Sequence, residues 1–178
     1  RAIFYRFEKG LRNSKVSVAV VVQKMINSEI SGVAFTVHPV TKDKNQMIIE
    51  AGYGLGEAIV SGQITPDSYI VLKDDLSIMD INVGTQTRKL TKTLKHLNTK
   101  THEKKKFKTD EDDSNEWVES GAEGEKQKLS GKQIIEVAKS CNQIEEHYGF
   151  PCDIEWAMEG GKIYITQSRP ITTLKNKS

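Results

Sequence analysis

Cysteine is scarce in this sequence: Cys141 and Cys152 are its 2 thiols in 178 residues. That is too few for a disulfide framework. They fall in a helix-like and a strand-like segment, which reads as reduced cysteine of a cell interior, so the expected location is the cytoplasm. No apolar run of membrane-spanning length and no secretory signal appears, and no membrane partner is expected. Neither sign of charge dominates: 26 Lys and Arg face 24 Asp and Glu, for a net charge of +2, a balance that says little about partners. A Walker A loop is also missing, because no Gly-Lys-Ser/Thr follows the glycines of Gly52-Tyr-Gly-Leu-Gly56. Nor do they form a convincing dinucleotide fingerprint.

What is there is ordinary for a soluble globule. With 37% hydrophobic and 28% charged residues, the chain can hold one domain with a real core. It opens on Arg1 rather than methionine and closes on Lys175-Asn-Lys-Ser178, which reads as a piece of a longer chain. Val16 to Val22 is a nearly unbroken β-branched run, the pattern of a strand buried on both faces, with Gln23-Lys-Met-Ile26 as its exit. Ile30 to Val37, stopped by Pro39, and Gln46 to Ala51 read as the next strands. Gly52 to Glu57 leads into Ala58-Ile-Val60, and Tyr69 to Leu72 and Ile78 to Val83 read as further strands. His38 reads as a loop histidine before proline.

The stretch 91–128 differs in kind. It carries Lys104-Lys-Lys106 and then Asp110-Glu-Asp-Asp113, with few apolar anchors, and predicts a mobile charged excursion. Without interleaved aromatics, its lysines read as a solvated loop balanced by the acids that follow, and no nucleic-acid partner is expected. Ser130 then opens a helix through a capping box with Gln133. Ile134, Val137, Ala138, Cys141 and Ile144 follow at helical spacing, and Gly149 and Pro151 end it.

The terminal stretch Asp153 to Pro170 carries the most chemistry. Ile154 to Met158 and Ile163 to Ile165 flank Gly160-Gly161, a turn signal between two strands. Glu155, Gln167 and Arg169 stand on these arms among core-type residues, where an unpartnered polar group costs on the order of 1–3 kcal/mol. One reading is a surface ion pair on an edge hairpin. The other is a ligand: a carboxylate and an amide carbonyl suit Mg²⁺, and an arginine two residues on can fork onto a phosphate. A two-residue turn with regular pairing would set Glu155 opposite Thr166 and aim Gln167 at the other face. Metal sharing therefore predicts an odd-length loop or a bulge, which adjacent glycines make easy.

Gly32-Val-Ala-Phe-Thr-Val-His-Pro-Val-Thr41, Glu50-Ala-Gly-Tyr-Gly-Leu-Gly-Glu-Ala-Ile-Val-Ser-Gly62, Pro66-Asp67 and Asp153-Ile-Glu-Trp with Gln167-Ser-Arg-Pro170 together resemble the ATP-binding domain of the pyruvate phosphate dikinase family. That family includes phosphoenolpyruvate synthase and the rifampicin phosphotransferases. The likeness runs from about Val16 to Thr172. It implies an α+β fold, an ATP-grasp-like lobe with a mostly antiparallel sheet and packed helices. Residues 1–15 would be a remnant of a preceding lobe or a linker, 16–174 the later part of the nucleotide-binding domain, and 175–178 a tail.

The resemblance further implies ATP and Mg²⁺ as cofactors. Glu155 and Gln167 match the family's metal ligands and Arg169 its phosphate-binding, catalytic arginine. The hinge Gln23, Lys24, Met25 and Ile26 would meet adenine, and the glycine loop with Glu50, Gly54, Gly56 and Glu57 would complete the cofactor-binding set. Gly54 and Gly56 have a structural alternative, a strand-to-helix turn that needs positive φ. At His38 the family carries an acidic or amide residue, so this loop departs from the pattern. The implied activity is transfer of a phosphoryl group from ATP, by way of a phosphohistidine carrier domain, to pyruvate. The alternatives are a rifampicin phosphotransferase-type antibiotic kinase and a non-catalytic nucleotide-sensing module. The implied partners are the remaining ATP-grasp lobe and the carrier domain, since none of the 4 histidines sits in a recognisable carrier motif. The piece alone is expected to be inactive.

Overall fold

A computed structural model describes residues 2–11, 15, 17, 19–93 and 115–172. In chain order the elements are α1 (Ala2–Glu8), β1 (Ile30–Phe35), β2 (Gln46–Tyr53), α2 (Glu57–Val60), β3 (Asp67–Leu72), β4 (Ile78–Asn82), β5 (Arg88–Lys92) and β6 (Asn115–Glu119). A 3-10 turn at Gly121–Glu125, α3 (Gly131–Tyr148), β7 (Cys152–Glu159) and β8 (Lys162–Pro170) follow. Six strands form one sheet in the order β4-β3-β2-β1-β7-β8, with every neighbouring pair antiparallel. Strands β5 and β6 make a separate ribbon. The expected α+β class and mostly antiparallel sheet are what the chain adopts.

Alternation along the strands sorts the sheet into two faces. Met47, Ile49, Ala51, Ile154, Trp156 and Met158 point to one of them. There they meet Ile134, Val137, Ala138 and Cys141 of α3 in a single cluster. Each large apolar side chain so buried contributes roughly 1.5–3 kcal/mol, which commits this face to the core and leaves the opposite one for other work. Gly32 is required at the centre, because a Cβ there would collide with the Glu50 carbonyl and the Trp156 ring. The capping box at Ser130 and Gln133 is present, and Gly149 closes α3 with φ +74. Both cysteines are buried and free, and burial pushes the Cys141 thiol up to about 12.

Two expectations are corrected. Val20, Val21 and Val22 are not in a strand, and they are 81%, 85% and 95% exposed. A β-branched run supplies propensity, but a strand forms only where another strand pairs with it, and among the described residues this run has no such partner. The stretch 91–128 is not loose throughout: Asn115–Glu119 pairs with Arg88–Lys92, and residues 94–114, with the lysine and aspartate blocks, lie outside the described residues. What holds its far end is polar. Lys128 and Asp67 are fully buried with Nζ 2.8 Å from Oδ1. The other Asp67 oxygen accepts the Tyr69 hydroxyl at 2.6 Å and the Lys128 N–H at 2.7 Å. Burial, reinforced by Asp67, holds the Tyr69 hydroxyl well above its usual range. A reading that counted only apolar anchors missed this pair.

Candidate functional site

The face away from α3 is built in cross-strand rows. Glu50, Val33, Glu155 and Gln167 are successive partners across β2, β1, β7 and β8, so their side chains share one face. The next row holds Ile48, Phe35, Asp153 and Arg169. In the row on the other side, α2 sits over Ser31, with Gly56 in near contact.

Strand β8 joins this face through an irregularity. Gly160 and Gly161 form the two-residue turn, with φ +58 and +74, and pairing is regular as far as Trp156 with Ile165. There the register shifts, and Glu155 pairs with Gln167. Thr166 is the extra residue. Its insertion turns Gln167 back to the Glu155 side, and the two side chains meet with Gln167 Nε2 donating to Glu155 Oε1 at 3.3 Å. The bulged register expected from the sequence is thus the one observed.

Arg169 is 63% exposed along its side chain rather than embedded in a core. Its Nε donates to Asp153 Oδ2 at 2.8 Å and its Nη2 lies 2.7 Å from the same oxygen. Asp153, with a smaller contribution from Glu155, raises the guanidinium pKa further, so Arg169 is permanently charged between two carboxylates. Two of its five N–H donors are engaged, which leaves a fork open for an anion.

A cavity of about 360 Å³ lies against this face and brings most of the candidate residues together: Gln23, Lys24, Met25, Ile26, Gly56, Glu57, Glu155 and Gln167 all line it. Gln23 is tied to the bulge, its Nε2 donating to the Thr166 carbonyl at 3.0 Å. Glu57 accepts from Asn115 Nδ2 at 3.2 Å, which brings the β5–β6 ribbon to the rim. Glu50 and Arg169 share the face but stand outside the lining. Half-buried in its row, Glu50 has its carboxyl pKa raised by desolvation. Gly54 lies elsewhere. With φ +90 and no room for a Cβ against the Leu90 carbonyl, it donates to Glu29 and accepts from Ser28 and Ser31, so its backbone is bonded to protein. His38 Nδ1 accepts the N–H groups of Val40 and Thr41 at 3.2 Å each, stapling its own loop.

Neither Asp153 nor Asn115 was among the candidate site residues read from the sequence. Asp153 lies two residues before Glu155, so alternation alone places it on the same face. Asn115 had no signal, coming after a charged stretch of low apolar content.

Residues 1–178 match the family described as the pyruvate phosphate dikinase AMP/ATP-binding domain. A phosphoenolpyruvate synthase of Pyrococcus furiosus is 48% identical, over 100% of this chain and 21% of its own length. A probable phosphoenolpyruvate synthase of Pyrococcus horikoshii is 49% identical, over 98% of this chain and 20% of its own. A rifampicin phosphotransferase of Bacillus cereus is 37% identical over 98% of this chain and 18% of its own. The chain thus spans about a fifth of the length of these relatives.

Proposed function

The chain belongs to the pyruvate phosphate dikinase AMP/ATP-binding domain family, and on that premise we propose that it supplies the adenine hinge and the metal-facing wall of an ATP site in a phosphoenolpyruvate synthase-type phosphotransferase. The observation that carries this is the bulge at Thr166, which sets Glu155 beside Gln167 next to the hinge cavity. Identity favours pyruvate over an antibiotic as acceptor, at 48% and 49% to the synthases against 37% to the rifampicin enzyme.

Glu155 and Gln167 would hold Mg²⁺: both carry hard oxygens on one face, and turning over the Gln167 amide, whose Nε2 donates to Glu155, would bring its carbonyl oxygen beside the carboxylate. When bound, the ion neutralises phosphate charge and orients the chain of phosphates. Arg169 then supplies its open fork to a phosphate oxygen, while Asp153 fixes the guanidinium plane. Gln23 to Ile26, which line the cavity together with Glu57, would bind the base.

The remaining lobe and a phosphohistidine carrier would come from elsewhere in the full-length protein. Supporting this are Ile3, Phe4 and Tyr5 of α1, 87%, 65% and 57% exposed, together with the bare valines at 20–22. The free, buried cysteines fit action in the cytoplasm, and no helix among the described residues is long and apolar enough to cross a membrane.

The test is Glu155→Ala in the full-length protein. ATP-dependent phosphoenolpyruvate formation from pyruvate should fall by at least about a hundredfold, with the unfolding temperature unchanged. A variant with full activity removes the metal assignment, and turnover with rifampicin but not pyruvate transfers the chain to the antibiotic kinases.

A further inference from the structure

Where β2 leaves the sheet, a buried polar side chain stands that the ATP reading does not use. Gln86 is 1% exposed. Its Oε1 accepts the Tyr53 N–H at 2.8 Å, and its Nε2 donates to the Tyr53 carbonyl at 2.8 Å and the Arg88 carbonyl at 3.0 Å. On one side Tyr53 faces Ile30 of β1. On the other, β3 has already ended, its last partner pair being Ala51 and Asp67. Gln86 takes that place and bonds both backbone groups of Tyr53, as a strand would.

Gln86 is itself anchored. Its N–H donates to the Gly124 carbonyl at 2.9 Å. Two residues earlier, the Gly84 N–H donates to Asp67 at 3.0 Å and the Gly84 carbonyl accepts from Lys128 Nζ. The buried ion pair therefore fixes residues 84–86, and these fix Tyr53. Beyond Tyr53 the chain has no slack: the Gly54 N–H reaches the Glu29 carbonyl and the Leu55 N–H the Leu90 carbonyl, each at 2.8 Å. The next two residues, Gly56 and Glu57, line the cavity.

We propose that Gln86 is a positioning residue of the nucleotide site, holding Tyr53 so that Gly56 and Glu57 stand at the height the nucleotide requires; the assignment rests on the ATP reading above. Glutamine suits the place because it is uncharged and offers acceptor and donors together. A carboxylate would face two carbonyls, and an aliphatic side chain would leave three backbone groups without their partner.

The experiment uses the full-length protein with MgATP. Gln86→Leu should raise the KM for ATP on the order of tenfold, with kcat and the KM of the acceptor held within about twofold. It should also speed amide hydrogen exchange at residues 53–57 without speeding it in β3. Tyr69→Phe is the control: it cuts the same polar core at Asp67 and Leu129 without touching the loop, and should lower the unfolding temperature while leaving the KM for ATP unchanged. If Gln86→Leu fails to fold, Gln86→Glu carries the same comparison, since it keeps the acceptor for Tyr53 and loses both donors. Equal KM shifts in the Gln86 and Tyr69 variants, or unchanged KM and exchange in the Gln86 variants, overturn the proposal. Wild-type protein that binds no ATP overturns the nucleotide reading and the assigned role together, while the exchange measurement still decides whether Gln86 holds the loop.

Discussion

Glu50 stands half-buried in the row of Glu155, and desolvation raises its carboxyl above the ordinary 4.5. Folding therefore favours its protonated form. The stability this contributes is present at acid pH and is lost as the pH rises from the unfolded value through the raised folded one. In nucleotide-free protein Glu50→Gln should raise the unfolding temperature by roughly 1–3 °C near pH 7 and change it little near pH 4. The same variant should bind MgATP more weakly, because a bound cation favours an ionised carboxylate on this face. Stronger binding together with higher stability would detach Glu50 from the site. The shared face of Glu155 and Gln167 was legible in the sequence because joint metal binding demands a bulge and adjacent glycines permit one. Gln86 was not: it bonds backbone groups of a residue 33 positions away, and no local pattern encodes that.

At the scale of elements, the terminal hairpin and α3 were legible because turn glycines, a capping box and helical spacing are local signals. The valine run was misread because a strand is completed by its partner, and composition cannot name one. The β5–β6 ribbon was missed because cross-strand backbone pairing joins segments far apart in sequence, and Leu90 alone of its residues enters a buried cluster, with Leu55 and Ala58. The bulge in β8 offers a direct test of the site. Deleting Thr166 removes the extra residue, so Gln167 follows Ile165 directly and stands opposite Glu155 in regular pairing, with every proposed ligand still on its face. If facing side chains are what the site needs, phosphoryl transfer should stay within about tenfold of the parent and keep its Mg²⁺ dependence. A loss of about a hundredfold or more with an unchanged unfolding temperature would show that the bulge itself, with its Thr166 carbonyl held by Gln23, is part of the site.

For the whole molecule, the exposed cavity wall sets the expectation. With Arg169 largely exposed, the phosphates would remain in water, where each electrostatic contact is weak. The isolated 178-residue chain should bind MgATP at about 10 μM or weaker by calorimetric titration and show no turnover. Submicromolar affinity would mean that this wall is sufficient.

The bulge at Thr166 also bears on solubility. Among the described residues β8 has no strand on its outer side, and Ile165 on that strand is 37% exposed. A straight, nine-residue outer strand is a template on which a second copy can add its own strand and seed aggregates. One inserted residue breaks the repeat of free N–H and C=O groups halfway along, and Gln23 occupies the Thr166 carbonyl at the break. The register that gathers the ligands is thus also a register that a copied strand cannot follow from end to end.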